Sequence, residues 1–205
     1  ATAGYAAQAY ISRRVTVRDV WSDMVHTALD LSAAYDFFVE NIVGERVFGM
    51  CVHLAHNMFA GKGTIRNVKG SLVSTASGGY GVGQAIQSLS GYLDYVLRDI
   101  TIEKIDFRFP QLDTAANSNH VVYIQTPFAN LVIDDIQGSY GLGVGTPHTS
   151  QVIVALYSVA RGPAVVSRVR TARNSRAGWA VRCHGQLPSV TTGIREVGVH
   201  NCHVN

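Results

Sequence analysis

Val15-Thr-Val-Arg-Asp-Val20 reads as apolar, variable, apolar, variable, acidic, apolar. The same phrase returns as Phe37-Phe-Val-Glu-Asn-Ile42, Gly63-Thr-Ile-Arg-Asn-Val68, Tyr95-Val-Leu-Arg-Asp-Ile100, Leu131-Val-Ile-Asp-Asp-Ile136, Ala164-Val-Val-Ser-Arg-Val169 and Val197-Gly-Val-His-Asn-Cys202. Its fifth position forms a ladder of Asp19, Asn41, Asn67, Asp99, Asp135, Arg168 and Asn201, with steps of 22, 26, 32, 36, 33 and 33 residues. Between copies lie further short apolar stretches, such as Met50 to Leu54, Val121 to Ile124 and Val152 to Leu156, bounded by Gly, Ser, Asn or Pro. A period of 20 to 50 residues built from short strands signals a stacked solenoid. Asp and Asn suit the ladder position because they tolerate left-handed backbone and bond nearby amides. The pattern therefore predicts an all-β chain, a single-stranded parallel β-helix of about six to seven coils. Strands about 4.8 Å apart would make it a rod roughly 30 Å long. Interior columns such as Val17, Val39, Ile65, Leu97, Ile133 and Val166 would fill it. Residues 1–14 are expected to be a lead-in or cap and residues 15–205 the solenoid, as part of a longer chain.

Composition agrees with strands. Hydrophobic residues make up 47% of the 205 and charged residues 15%, with 20 glycines, and that charge is low for long amphipathic helices. No apolar run is long enough to span a membrane as a helix, and the start lacks the features of a secretory signal. Cys51, Cys183 and Cys202 are an odd set, which argues against a disulfide framework. Net charge is only +3, yet seven arginines and no acid lie between Asp135 and Glu196. Two other arrangements compete. Trp21, Val25 and Leu29 have helical spacing behind Asp19, a possible cap. A β-sandwich would explain alternation but not a ladder that stays in phase.

The phrases Val-Thr-Val-Arg-Asp-Val, Ile-Arg-Asn-Val and Gly-Val-His-Asn-Cys resemble the coils of pectate-lyase-like right-handed parallel β-helices. Long, uneven coils are most similar to those of bacteriophage tailspikes and related appendage proteins. That resemblance implies a homotrimeric virion component, placed in a tail or spike beside other tail proteins. It implies extracellular binding of host surface polysaccharide and, in many cases, its depolymerisation by a hydrolase or lyase. A stand-alone polysaccharide lyase or hydrolase and a purely structural spike segment are the alternatives. The polygalacturonase set of Asn-Thr-Asp, Asp-Asp, Gly-His-Gly and Arg-Ile-Lys is absent apart from Asp134-Asp135.

On the ladder model, Asp99 and Asp135 stack, with Asp134 and Glu103 nearby. Paired carboxylates at about 5–5.5 Å suit a retaining glycosidase, and wider pairs of about 6.5–9.5 Å suit an inverting one. The column before the ladder would read Arg18, Glu40, Arg66, Arg98, Asp134, Ser167 and His200, an outward ladder of opposite charges. Arg98, Arg170 and Arg173 can pair with sugar carboxylates. Tyr92, Tyr140 and Trp179 can stack on sugar rings, as can Trp21 and Tyr80. The basic distal third lacks the aromatic interleaving of a nucleic-acid surface. Gly79-Tyr-Gly81-Val-Gly83 and Gly141-Leu-Gly143-Val-Gly145 lack full dinucleotide spacing and read as turns or bulges. His53 with His56, and His200 with Cys202 and His203, could be read as metal ligands, but alternation sends His203 to the face opposite His200 and Cys202, and both motifs are discounted. The reading calls for no cofactor and no metal.

Overall fold

The computed structural model describes residues 3–10, 12–32, 34–54, 61–73, 79–84, 97–110, 119–141, 152–157, 160–172, 179–183 and 197–203. They form one sheet of thirteen strands: β1 (Ala3–Tyr10), β2 (Arg13–Ser22), β3 (Val25–Ser32), β4 (Tyr35–His53), β5 (Gly61–Leu72), β6 (Gly79–Gln84), β7 (Leu97–Phe109), β8 (Asn119–Ile124), β9 (Phe128–Tyr140), β10 (Val152–Leu156), β11 (Ala164–Thr171), β12 (Trp179–Cys183) and β13 (Val197–His200). Every ladder between them is parallel. The sheet wraps about 320° round an axis, a parallel β-helix-like fold. Parallel pairing excludes the antiparallel sandwich, and β2 with β3 replaces the alternative helix. Trp21 is 63% exposed while Val25 and Leu29 are buried, so the three do not share a face.

Strands β2, β4, β5, β7, β9, β11 and β13 stack in that order to make a front wall. A back wall stacks β1, β3, the end of β4, β6, β8, β10 and β12. β4 runs through both walls. Isoleucines and valines dominate because β-branched side chains fit a pleated, two-sided packed surface. Val17, Val39, Ile65, Ile102, Ile133, Val166 and Val199 line up along the axis. Ile42, Val68, Ile105, Ile136 and Val169 make a second buried file. Phe107, Phe109 and Tyr140 wedge the distal core, with ring centroids 5.0 and 4.8 Å apart.

Between these two files each front-wall strand turns at a left-handed residue. Asp19, Asn41, Asn67, Lys104, Asp135, Arg168 and Asn201 all have φ between 50 and 57°. Asn41 Nδ2 donates to Asp19 Oδ1 at 2.8 Å, and Asn67 Nδ2 donates to Asn41 Oδ1. The ladder is thus real, but its fourth member is Lys104, not Asp99. Leu97 likewise gives way to Ile102 in the interior column. Asp99 belongs to a second left-handed file five residues earlier, with Arg14, Asp36, Lys62 and Asn130. Both corners impose the same backbone, so both attract Asp and Asn, and the phrase ending at Ile100 imitates its neighbour.

Candidate functional site

The corrected register rearranges the expected acid pair. Asp99 does not stack on Asp135. It accepts 2.8 Å from Asn130 Nδ2 in the earlier corner file, and Asp135 accepts 2.8 Å from Arg170 Nη1. Glu103 takes the place expected for Arg98 in the outward column, which reads Arg18, Glu40, Arg66, Glu103, Asp134, Ser167 and His200. Glu103 and Asp134 are therefore register partners on β7 and β9, about 4.8 Å apart along the axis. Arg98 lies exposed at the start of β7.

Electrostatics distinguish these two carboxylates. Arg168 donates to Asp134 through Nε at 2.8 Å and also through Nη2, and Ser167 Oγ donates at 2.8 Å. These bonds, Arg168 first, hold the Asp134 carboxyl below the usual range against a partial desolvation. The Glu103 side chain makes no hydrogen bond or ion pair among the described residues, although its charge acts on the Arg168 guanidinium. Nearer the first strands, Glu40 bridges Arg18 at 3.6 Å and Arg66 at 2.6 Å. Both guanidiniums also lie over the Phe38 ring, at 5.1 and 4.9 Å from its centroid. Such cation–π contacts contribute about 0.5–1 kcal/mol each at exposed sites.

A groove of about 400 Å³ runs across β2, β4, β5 and β7 on this outer surface. Its floor carries Thr16, Phe38, Thr64 and Thr101, and its rim carries Arg14, Asp36, Lys62 and Asp99. Floor and rim arise from the corner: after the left-handed residue, every second side chain of the extended strand faces outward. Close packing beneath keeps the floor low. A Cβ on Gly63 would lie 2.3 Å from the Phe37 ring, so only glycine admits that ring to the interior. The groove thus combines hydroxyls, a half-buried aromatic and charges of both signs, the means by which a surface holds a polyhydroxylated chain.

The remaining candidates lie elsewhere. Tyr140 is buried against Phe109, and Trp179 is exposed on β12 of the back wall. Arg170 sits on β11, beyond the ladder corner. Tyr92 and Arg173 fall outside the described residues. Arg14, Asp36, Phe38 and Lys62 were not singled out from the sequence; the signal for the three charged ones is their place five residues before Asp19, Asn41 and Asn67. Tyr80 stacks with Tyr123 and His120 on the outer side of the back wall, where Asp30 also accepts from Gln8 and Ser32 and lies 3.3 Å from His53. Asp30 and His120 are buried, so this cluster presents little surface to a polymer. No group of metal-ligating side chains occurs among the described residues, and no helix there is long and apolar enough to cross a membrane. No protein-family model matches the chain, and neither a curated protein nor a solved structure matches it.

Proposed function

We propose that this chain is part of a bacteriophage tailspike or tail-fibre component whose front-wall groove binds host surface polysaccharide. On this reading the coils are right-handed, about six to seven in number, and the assembled spike is a homotrimer attached to other tail proteins and acting outside the bacterium. The observation that carries it is the groove itself. It runs along the solenoid axis, so a chain-like ligand meets an equivalent floor residue at each strand, about every 4.8 Å. Phe38 holds the Arg18 and Arg66 guanidiniums over its ring, and such guanidiniums suit carboxylates through bidentate hydrogen bonds. Binding by the intact chain to capsule or lipopolysaccharide fractions, measured by calorimetry, tests the reading. Phe38→Ala with Arg66→Ala should weaken binding about tenfold or more. Unchanged affinity in that variant removes the groove from consideration.

A second reading, depolymerisation, is favoured by Glu103 beside Asp134. Asp134, kept ionised by Arg168, fits a nucleophile or a stabiliser of positive charge, and Glu103, one strand away, is the second carboxyl placed to exchange a proton with the glycosidic oxygen. New reducing ends would indicate hydrolysis, and the ultraviolet absorbance of an unsaturated sugar would indicate elimination. Under this reading Glu103→Gln abolishes product formation while leaving binding intact. Product formed at the wild-type rate by that variant excludes Glu103 as the acid. A segment with neither binding nor turnover would be purely structural.

A further inference from the structure

The charges on the groove's rim and in the outward column beside it are organised in bands one strand wide. β2 presents Arg14 and Arg18, β4 presents Asp36 and Glu40, β5 presents Lys62 and Arg66, and β7 presents Asp99 and Glu103. Both outward files therefore alternate in sign, and they alternate in phase. The two positive bands stand about 10 Å apart with a negative band midway between them. Resting on the glycan-binding reading above, we propose that the groove selects a polysaccharide bearing an acid group on every second sugar ring. The acid groups sit on the β2 and β5 bands. The uncharged ring between them lies over β4, where Asp36 accepts from its hydroxyls.

Mutual neutralisation of the protein's own charges does not account for the whole pattern. It accounts for Arg18, Glu40 and Arg66, which pair with one another. Arg14, Asp36 and Lys62 have no ion-pair partner among the described residues, although they are neighbours in register. Arg14 and Lys62 also occupy left-handed backbone, with φ of 55 and 37°. Asn, Asp or Gly would relieve that conformation, and Asp36, Asp99 and Asn130 at the same corner follow the preference. Two cations are thus held at a backbone cost where the ligand's acid groups would arrive. A chain acidic at every ring would bring alternate carboxylates against Asp36 and Glu40, and like charges opposed at this distance repel.

Three polymers separate the possibilities when titrated against the intact chain at low ionic strength: hyaluronate, acidic at every second ring; polygalacturonate, acidic at every ring; and uncharged dextran. Hyaluronate should bind about tenfold more tightly than either of the others. Arg14→Ala with Lys62→Ala should erase that preference, and Asp36→Asn with Asp99→Asn should strengthen polygalacturonate binding. Equal or tighter binding of polygalacturonate or dextran by the unmodified chain overturns the alternation and leaves a glycan groove standing. Failure of all three to bind overturns the alternation, and the titration with capsule and lipopolysaccharide described above then decides whether the glycan reading stands.

Discussion

Lys104 has φ of 56° in a file where Asn and Asp otherwise prevail near the first strands. A left-handed conformation costs a non-glycine residue about 1 kcal/mol, less for Asn, whose short amide bonds locally. Lys104→Asn should therefore raise the free energy of unfolding by about 0.5–1 kcal/mol, read from the urea midpoint. An unchanged midpoint would mean that the lysine compensates its strain elsewhere. Gly63 makes the opposite case. Its replacement by Ala forces the Phe37 ring aside and should cost about 1–3 kcal/mol by overpacking. Burial pushes the Cys51 thiol up to about 12; desolvation raises the Cys183 thiol too, but that residue is exposed. A thiol reagent at neutral pH should label Cys183 in the native state and Cys51 only after denaturation. Early labelling of Cys51 would show that the space between Gly44 and Gly70, where its sulfur packs, opens in the native state.

The elements record how far one chain can be read by eye. Phrases on β2, β4, β5, β9, β11 and β13 align as their repeat suggests, because an apolar pair before a left-handed residue is a strong local requirement. The reading failed on β7. There Arg98 and Asp99 sit at the first corner, and the residues that occupy the second corner's register are Glu103 and Lys104. Two corners with one backbone demand cannot be told apart by residue type when one of them carries a lysine. The candidate site inherited that slip. Glu103 and Asp134 were both noticed, but their adjacency and the rim residues Arg14, Asp36 and Lys62 emerge only from the pairing. β8 supplies a pH test. His120 is fully buried, its Nδ1 lies 2.9 Å from the Val152 carbonyl oxygen, and burial lowers its pKa from 6.5 to about 4. Above pH 6.5 the ring is neutral in folded and unfolded chains alike. Between 6.5 and about 4 the unfolded chain binds a proton that the folded one refuses, so stability falls as pH falls, by about 3 kcal/mol across that window. His120→Phe should flatten this part of the curve of unfolding free energy against pH, and an equally steep curve would assign the dependence to other groups.

Across the whole molecule, burial is deepest in the middle of the stack and shallowest at its ends. Ile102 is fully buried, whereas Val199, in the same axial file on β13, is 47% exposed. Ile102→Ala should cost about 2–5 kcal/mol and Val199→Ala well under 1 kcal/mol, compared by chemical denaturation. Similar losses at the two sites would mean that β13 is covered in solution by something the isolated chain does not supply. The constant distance between the two corners on β2, β4, β5, β7 and at the start of β9 carries a further consequence. It is five residues at 14 and 19, 36 and 41, 62 and 67, 99 and 104, and 130 and 135. An extra residue placed inside that interval would throw one strand out of step with both neighbours, while connections between walls can lengthen without disturbing any pairing. The interval works as a gauge shared by successive layers, so a lineage of such proteins can change its connecting segments freely and still present the same spacing to whatever lies along its side.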